Sequence, residues 1–292
     1  MQQPQVVARV TERIERAEWL DQVTRPFHGA ALRLLGTGRV RDVLAGTPLG
    51  HPSHPALVSA PIGCWTGAFV ADLVGERSAA RTLTGAGVAL VAPVAATGVS
   101  DWADTTGAEQ RIGFVHLALN LSATAAYAGS WWARRQGRQT RGIVLGAVGA
   151  VVATTAAWFG GHLAYGLGVG VDTNSFEGGP TEWTPVAHAG DGPVSRAEAD
   201  GVALLVTRQP GRTRVLADRC SHRGGPLSDG HVGVDCVTCP WHGSRFDLST
   251  GAVLGGPAVV GQPAYEVRQA GRGLEVRRRE PRSLRTNSTR VH

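Results

Sequence analysis

The chain has 292 residues, room for two domains, and carries 29 Lys+Arg against 23 Asp+Glu for a formal charge of +6. The surplus is nearly all arginine and sits in short clusters beside apolar segments, which points to lipid head groups and away from a nucleic-acid-reading face. Four cysteines are too few for a disulfide scaffold, and the charged residues 1–25 lack the apolar core of a cleavable signal.

In chain order, residues 1–50 form an N-terminal segment in which Arg13–Leu20 has helical periodicity with its charges on one side. A helix lying on a membrane surface and a plain solvated helix fit it about equally. Four apolar runs follow, at 56–75, 83–101, 112–132 and 142–161, each near the ~20 residues that a helix needs to cross the hydrocarbon core. Trp65, Trp102, Trp131, Trp132 and Trp158 favour span ends, as interfacial aromatics do. Small residues such as Gly85–Ala86–Gly87 suit close helix packing in lipid.

Short connections predict an up-and-down four-helix bundle. The starts of spans one and three then share a membrane face with the ends of spans two and four. That face collects His51, His54, Asp101, Asp104, His116 and His162, with Asn120 one turn after His116. Ionisable groups at membrane depth are costly and usually functional. Haem b ligation, a metal site or a quinone pocket would each use such a cluster, with His54, His116 and His162 the candidates. The structural alternative is that these histidines cap helix ends.

The motifs His51–Pro52–Ser53–His54–Pro55, Pro61–Ile62–Gly63, Ser100–Asp101–Trp102, His116 with Asn120, and Gly160–Gly161–His162 resemble an uncharacterised membrane family, domain of unknown function 2231. The resemblance implies a four-span transmembrane domain over 51–172 and little about chemistry.

After a linker at 173–182 the sequence turns polar, and runs at Val202–Val206, Thr213–Ala217, Val232–Val237, Ala264–Val267 and Leu274–Val276 alternate with Gly and Pro turns. That is the pattern of a small all-β domain, expected over 183–278. Within it, Cys220–Ser221–His222 and Cys239–Pro240–Trp241–His242 stand sixteen residues apart and offer two thiolates and two imidazoles. Spacing alone leaves two readings open, a structural zinc site and an iron–sulfur cluster with two Cys on one iron and two His on the other.

The flanks Arg223–Gly224–Gly225–Pro226–Leu227 and Gly243–Ser244–Arg245–Phe246–Asp247, with Gly255–Gly256–Pro257–Ala258 as a covering proline loop, resemble Rieske proteins. The resemblance implies a [2Fe–2S] cluster with Cys220, His222, Cys239 and His242 as iron ligands. High-potential members carry two extra cysteines; the matching positions here are Gly225 and Trp241. They also place a Tyr hydroxyl near the cluster where this chain has Phe246, although Ser244 is kept. Fewer hydrogen bonds to sulfur predict the lower part of a range of about −150 to +300 mV, as in ferredoxin-type members. Cys236 is expected as a buried strand residue, Cys64 as packing in the first span, and His188 and His231 as surface or loop residues.

The fold class expected is therefore multi-domain, a four-span α-helical membrane bundle followed by a small all-β Rieske domain and a basic disordered tail at 279–292. No second iron domain and no GxGxxG loop are recognised, so one-electron transfer is expected rather than catalysis on an organic substrate. The leading reading is a membrane-anchored electron carrier that meets a redox partner protein and relays to a haem or quinone at the histidine-rich face. The alternatives are an anchoring or accessory subunit of a larger oxidoreductase with no cofactor in the membrane half, and a redox-sensing one. Six arginines at the histidine-poor loops against three at the other face favour a cell-membrane protein with an extracytoplasmic cluster domain.

Overall fold

The computed structural model describes residues 5–279 apart from 37, 178 and 272. The expected disordered tail lies, beyond Arg279, outside the described residues. The chain forms two compact units, residues 1–170 and 171–292.

In the first unit α1 (Gln5–Glu15), α2 (Leu20–Leu35) and α3 (Arg39–Ala45) precede four long helices. These are α4 (Ser53–Leu73), α5 (Arg77–Trp102), α6 (Gly107–Arg135) and α7 (Gln139–Gly161), the last running on into a π-helical turn, His162–Gly166. All four are long and apolar enough to cross a membrane. Their contact faces are built from buried small residues, among them Ala68, Ala80, Ala123 and Ala156, while Phe69, Leu73 and Val151 point outward. That inversion, small inside and large apolar outside, is what lipid as solvent requires. The amphipathic run expected at Arg13–Leu20 is broken between α1 and α2, where Ala17 and Leu20 close turns on Ile14 and Ala17.

The N-terminal helices cap the histidine-bearing end of the bundle. Arg111 makes a two-pronged bond to Asp21 at 2.7 and 2.9 Å, which holds the Asp21 carboxyl below the usual carboxylate range. Arg111 also bonds the Glu15 carbonyl, Arg41 pairs with Asp104, and the His28 ring bonds the Ala103 carbonyl at 3.0 Å. α1 and α2, which pack at this end, also carry Arg9, Arg13, Arg25 and Arg33.

The two hairpins α4–α5 and α6–α7 repeat one another at a shift of 62 positions (54 to 116, 65 to 127, 87 to 149). Trp65 lies against Gly87 as Tyr127 lies against Gly149. Each hairpin turns on a glycine with positive φ, Gly75 and Gly137. Glu76 N–H bonds the Ala71 carbonyl as Arg138 N–H bonds that of Ala133. The repeats run parallel, so their pseudo-twofold axis follows the bundle. Equivalent residues meet across it: Trp65 and Tyr127 stack with centroids 3.9 Å apart, and Arg134 grips Asp72 at 2.7 and 2.6 Å.

The second unit is antiparallel β throughout. Its strands are β1 (Thr184–Pro185), β2 (Val194–Ala199), β3 (Val202–Gln209), β4 (Arg212–Ala217), β5 (His231–Val232), β6 (Cys236–Thr238), β7 (Arg245–Asp247), β8 (Val253–Gly255), β9 (Ala264–Ala270) and β10 (Gly273–Arg278). Six form a sheet in the order β1-β10-β9-β4-β3-β2 and four a smaller sheet, β5-β6-β7-β8. The run expected at Val232–Val237 is not one strand but a hairpin, with Gly233 N–H bonded to the Cys236 carbonyl. Alternation along β3 and β4 divides the interior in two. Leu205 and Leu216 face a core shared with Phe246, Leu227, Leu248 and Val237, while Leu204, Val206, Val215 and Ala217 face a second core with Tyr265 and Val276.

Arg134→Leu should leave the buried Asp72 carboxylate without its partner and cost ~3–5 kcal/mol, whereas exchanging the two residues should restore much of the loss. Thermal unfolding in detergent tests this; a single variant as stable as wild type would refute the ion pair as a bundle clamp.

Candidate metal centre

The first ligand loop leaves the end of β4 and the second joins β6 to β7, and the two share one hydrogen-bond plan. The Cys220 N–H bonds the Gly225 carbonyl and the Cys239 N–H bonds the Ser244 carbonyl, at 2.9 and 2.8 Å. In return the Cys220 and Cys239 carbonyls accept from the N–H groups of Gly224 and Gly243, at 2.8 and 3.2 Å. Both glycines have left-handed φ, +76° and +74°, which an L side chain rarely adopts. Each ring turns later N–H groups inward, so that Cys220 sulfur faces those of His222 and Arg223, and Cys239 sulfur those of Trp241 and His242. Such concave N–H nests favour anions.

The two sulfurs are hydrogen-bonded to each other, and both cysteines are buried in the core that holds Phe246 and Leu227. The shared proton and burial raise the Cys220 thiol, and the bond from Cys220 helps draw Cys239 down to about 6. The His222 and His242 rings lie half-exposed with centroids 5.1 Å apart at 87°. The donors thus fall into a buried thiol pair and an outer imidazole pair. Among the described residues no three His, Cys, Asp or Glu side chains converge as a single metal ion demands. Two buried sulfurs in N–H nests beside two imidazoles fit a dinuclear iron–sulfur group with a thiol pair on one iron and an imidazole pair on the other.

Several supports carried no sequence signal. Gln262, in a Gly- and Pro-containing loop, accepts from the Ser221 N–H at 3.0 Å and from Asn174 at 2.9 Å, and donates to the Ala217 and Arg219 carbonyls. Thr173 and Asn174, within the stretch read as a linker, bond the Cys220 and Arg219 carbonyls. The buried Ser244 hydroxyl accepts from the Ala258 N–H at 3.1 Å, tying the proline loop to the second ligand loop. Cys236 is half-buried in β6, while His188 and His231 are exposed.

The histidines of the first unit separate into two groups. His54 Nδ1 bonds the Val94 carbonyl at 3.1 Å and His116 Nδ1 bonds that of Ala156 at 2.8 Å, each reaching to the next helix. His162 does not join them. It bonds Glu15 at 2.7 Å and stacks on Trp158.

The Rieske [2Fe–2S] domain family matches residues 182–266, and the predicted membrane protein family DUF2231 matches residues 50–173. Ferredoxin CarAc of Metapseudomonas resinovorans is 33% identical over 89 residues, 29% of this chain and 83% of the ferredoxin. Human apoptosis-inducing factor 3 is 30% identical over 86 residues, 28% of this chain, and the match spans only 14% of that protein's length. Among solved structures, the ferredoxin of carbazole 1,9a-dioxygenase from Nocardioides aromaticivorans IC177 is 28% identical, covering 32% of this chain and 96% of that one at a TM-score of 0.30. The chain thus joins a Rieske [2Fe–2S] domain to a unit with four helices long and apolar enough to cross a membrane. The chain belongs to the Rieske [2Fe–2S] family and carries a DUF2231 membrane domain on its N-terminal side.

Gln262→Ala should strand the buried Ser221 N–H and two carbonyls and cost ~2–3 kcal/mol. The loss should show as an earlier thermal bleaching of the cluster absorbance; an unchanged midpoint would rule out Gln262 as the brace of the first ligand loop.

Proposed function

We propose that this chain is a membrane-anchored one-electron carrier whose [2Fe–2S] cluster is held by Cys220 and Cys239 on one iron and by His222 and His242 on the other. The observation that carries the reading is the pairing of donors on two loops of one hydrogen-bond plan, with sulfurs inside and imidazoles outside. When bound, the cluster supplies reversible one-electron chemistry at modest potential. The chain's own part is to exclude water from the sulfurs with Phe246 and Leu227, and to direct backbone N–H groups at them. The half-exposed imidazoles make the short way out for an electron, and exposed Trp241 and Val260 flank that edge as a contact for a redox partner protein. The family relationship to a ferredoxin favours a carrier that passes electrons between proteins. The membrane domain anchors it in lipid and offers His54 and His116 as the seat of a second redox group.

Low-temperature EPR of dithionite-reduced, detergent-purified protein should give the low-average-g signal of a mixed Cys/His cluster, and His242→Ala should abolish it. A wild-type protein that binds zinc and stays EPR-silent after anaerobic iron and sulfide reconstitution would overturn the reading. Ser244→Ala should lower the reduction potential by an amount on the order of tens of mV, since a hydroxyl leaves the cluster surroundings. An EPR-monitored redox titration measures it, and an unchanged potential would remove Ser244 from the tuning groups.

A further inference from the structure

His54 and His116 are equivalent residues of the two hairpins, and their surroundings are equivalent in detail. In each case Nδ1 meets a backbone carbonyl forty positions on, Val94 for His54 and Ala156 for His116. In each case the ring lies over a glycine forty-four positions on, Gly98 or Gly160, where a Cβ would come within 2.8 or 3.0 Å of the imidazole. The two histidines stand eleven positions, about three helical turns, before Trp65 and Tyr127, and so lie on the helix faces that carry that stacked pair.

The bonding fixes what the pair offers. A carbonyl only accepts, so Nδ1 of each ring carries the hydrogen and Nε2 is left with a lone pair. The Asn120 amide, one turn on, donates to the His116 backbone carbonyl at 2.8 Å, with its Nδ2 3.4 and 3.2 Å from the two ring nitrogens. Two lone pairs cannot donate to the carbonyls of a quinone. They can ligate a metal, and an Nδ1–H bond to a carbonyl is the usual way of holding a ligating imidazole. A bare ion would need further protein ligands, and among the described residues no third His, Cys, Asp or Glu converges with them. A porphyrin iron needs only two, because its macrocycle supplies the other four. Facing helices of a four-helix bundle are where such a group is held.

We infer that His54 and His116 are the two axial ligands of a haem bound on the pseudo-twofold axis of the membrane domain. The inference rests on the reading of the membrane half as the seat of a second redox group, and it replaces a three-histidine candidate set by a symmetric pair, because His162 is committed to Glu15.

The test is the full chain, produced with added 5-aminolaevulinate, purified in detergent and assayed by pyridine haemochrome, reduced-minus-oxidised spectrum and EPR on one sample. Wild type should carry stoichiometric haem with low-spin bands beside the cluster signal. His54→Ala and His116→Ala should each lose those bands while keeping the cluster signal, which reports a folded cluster domain, and free imidazole should restore low-spin bands to His116→Ala. His162→Ala should keep its haem. Wild type with an intact cluster signal and no haem overturns the inference and leaves the one-electron carrier standing. Haem without any cluster signal does the reverse. Haem that persists unaltered in both alanine variants overturns the assignment of ligands.

Discussion

The second unit depends on seating two cysteine sulfurs inside an apolar core. Cys220 and Cys239 share their surroundings with Phe246, Leu227 and Val237, where a thiolate would be costly without polar contacts. Each loop solves this with the same ring of backbone bonds, which closes on a left-handed glycine and turns two N–H groups toward its sulfur. The rest of the domain serves those two turns. The small sheet carries the second loop, the six-stranded sheet ends at the first, and Gln262 and Ser244 bind both loops to the segment that covers them.

The membrane domain obeys the opposite demand, that polar groups find partners among protein atoms since lipid offers none. Most of the polar residues crowded at one end of the bundle are spent this way. Asp104 goes to Arg41, Arg111 to Asp21 and Glu15, and His162 to Glu15. The N-terminal helices supply these partners. His54 and His116 each place Nδ1 on a carbonyl of the neighbouring helix, at equivalent positions of the two hairpins.

The tandem repeat relates these features. Where equivalent positions of the two hairpins meet they need not carry the same residue, and Asp72 with Arg134 forms an ion pair. Trp65 and Tyr127 remain alike in shape and stack. The histidines remain identical.

Sequence by itself determined the two unlike halves, the four spans and the Cys-x-His and Cys-x-x-His pair, because apolar length and ligand spacing are local properties of the chain. It also marked Gly224 and Gly243, whose backbone role is local. It did not reveal β2, β7 or β8, which are short or polar and exist only through their neighbours' ladders. Nor did it reveal the repeat, since a shift of 62 positions (54 to 116) preserves only scattered histidines, glycines and aromatics whose meaning is their common environment. Tertiary structure alone decided that Gln262 bonds the Ser221 N–H, that His162 belongs to Glu15, and that His54 and His116 hold equivalent places in the two hairpins. Each of those facts is a contact between residues at least 40 positions apart in the chain, and a hydrogen-bond partner at that distance is chosen by packing and not by pattern.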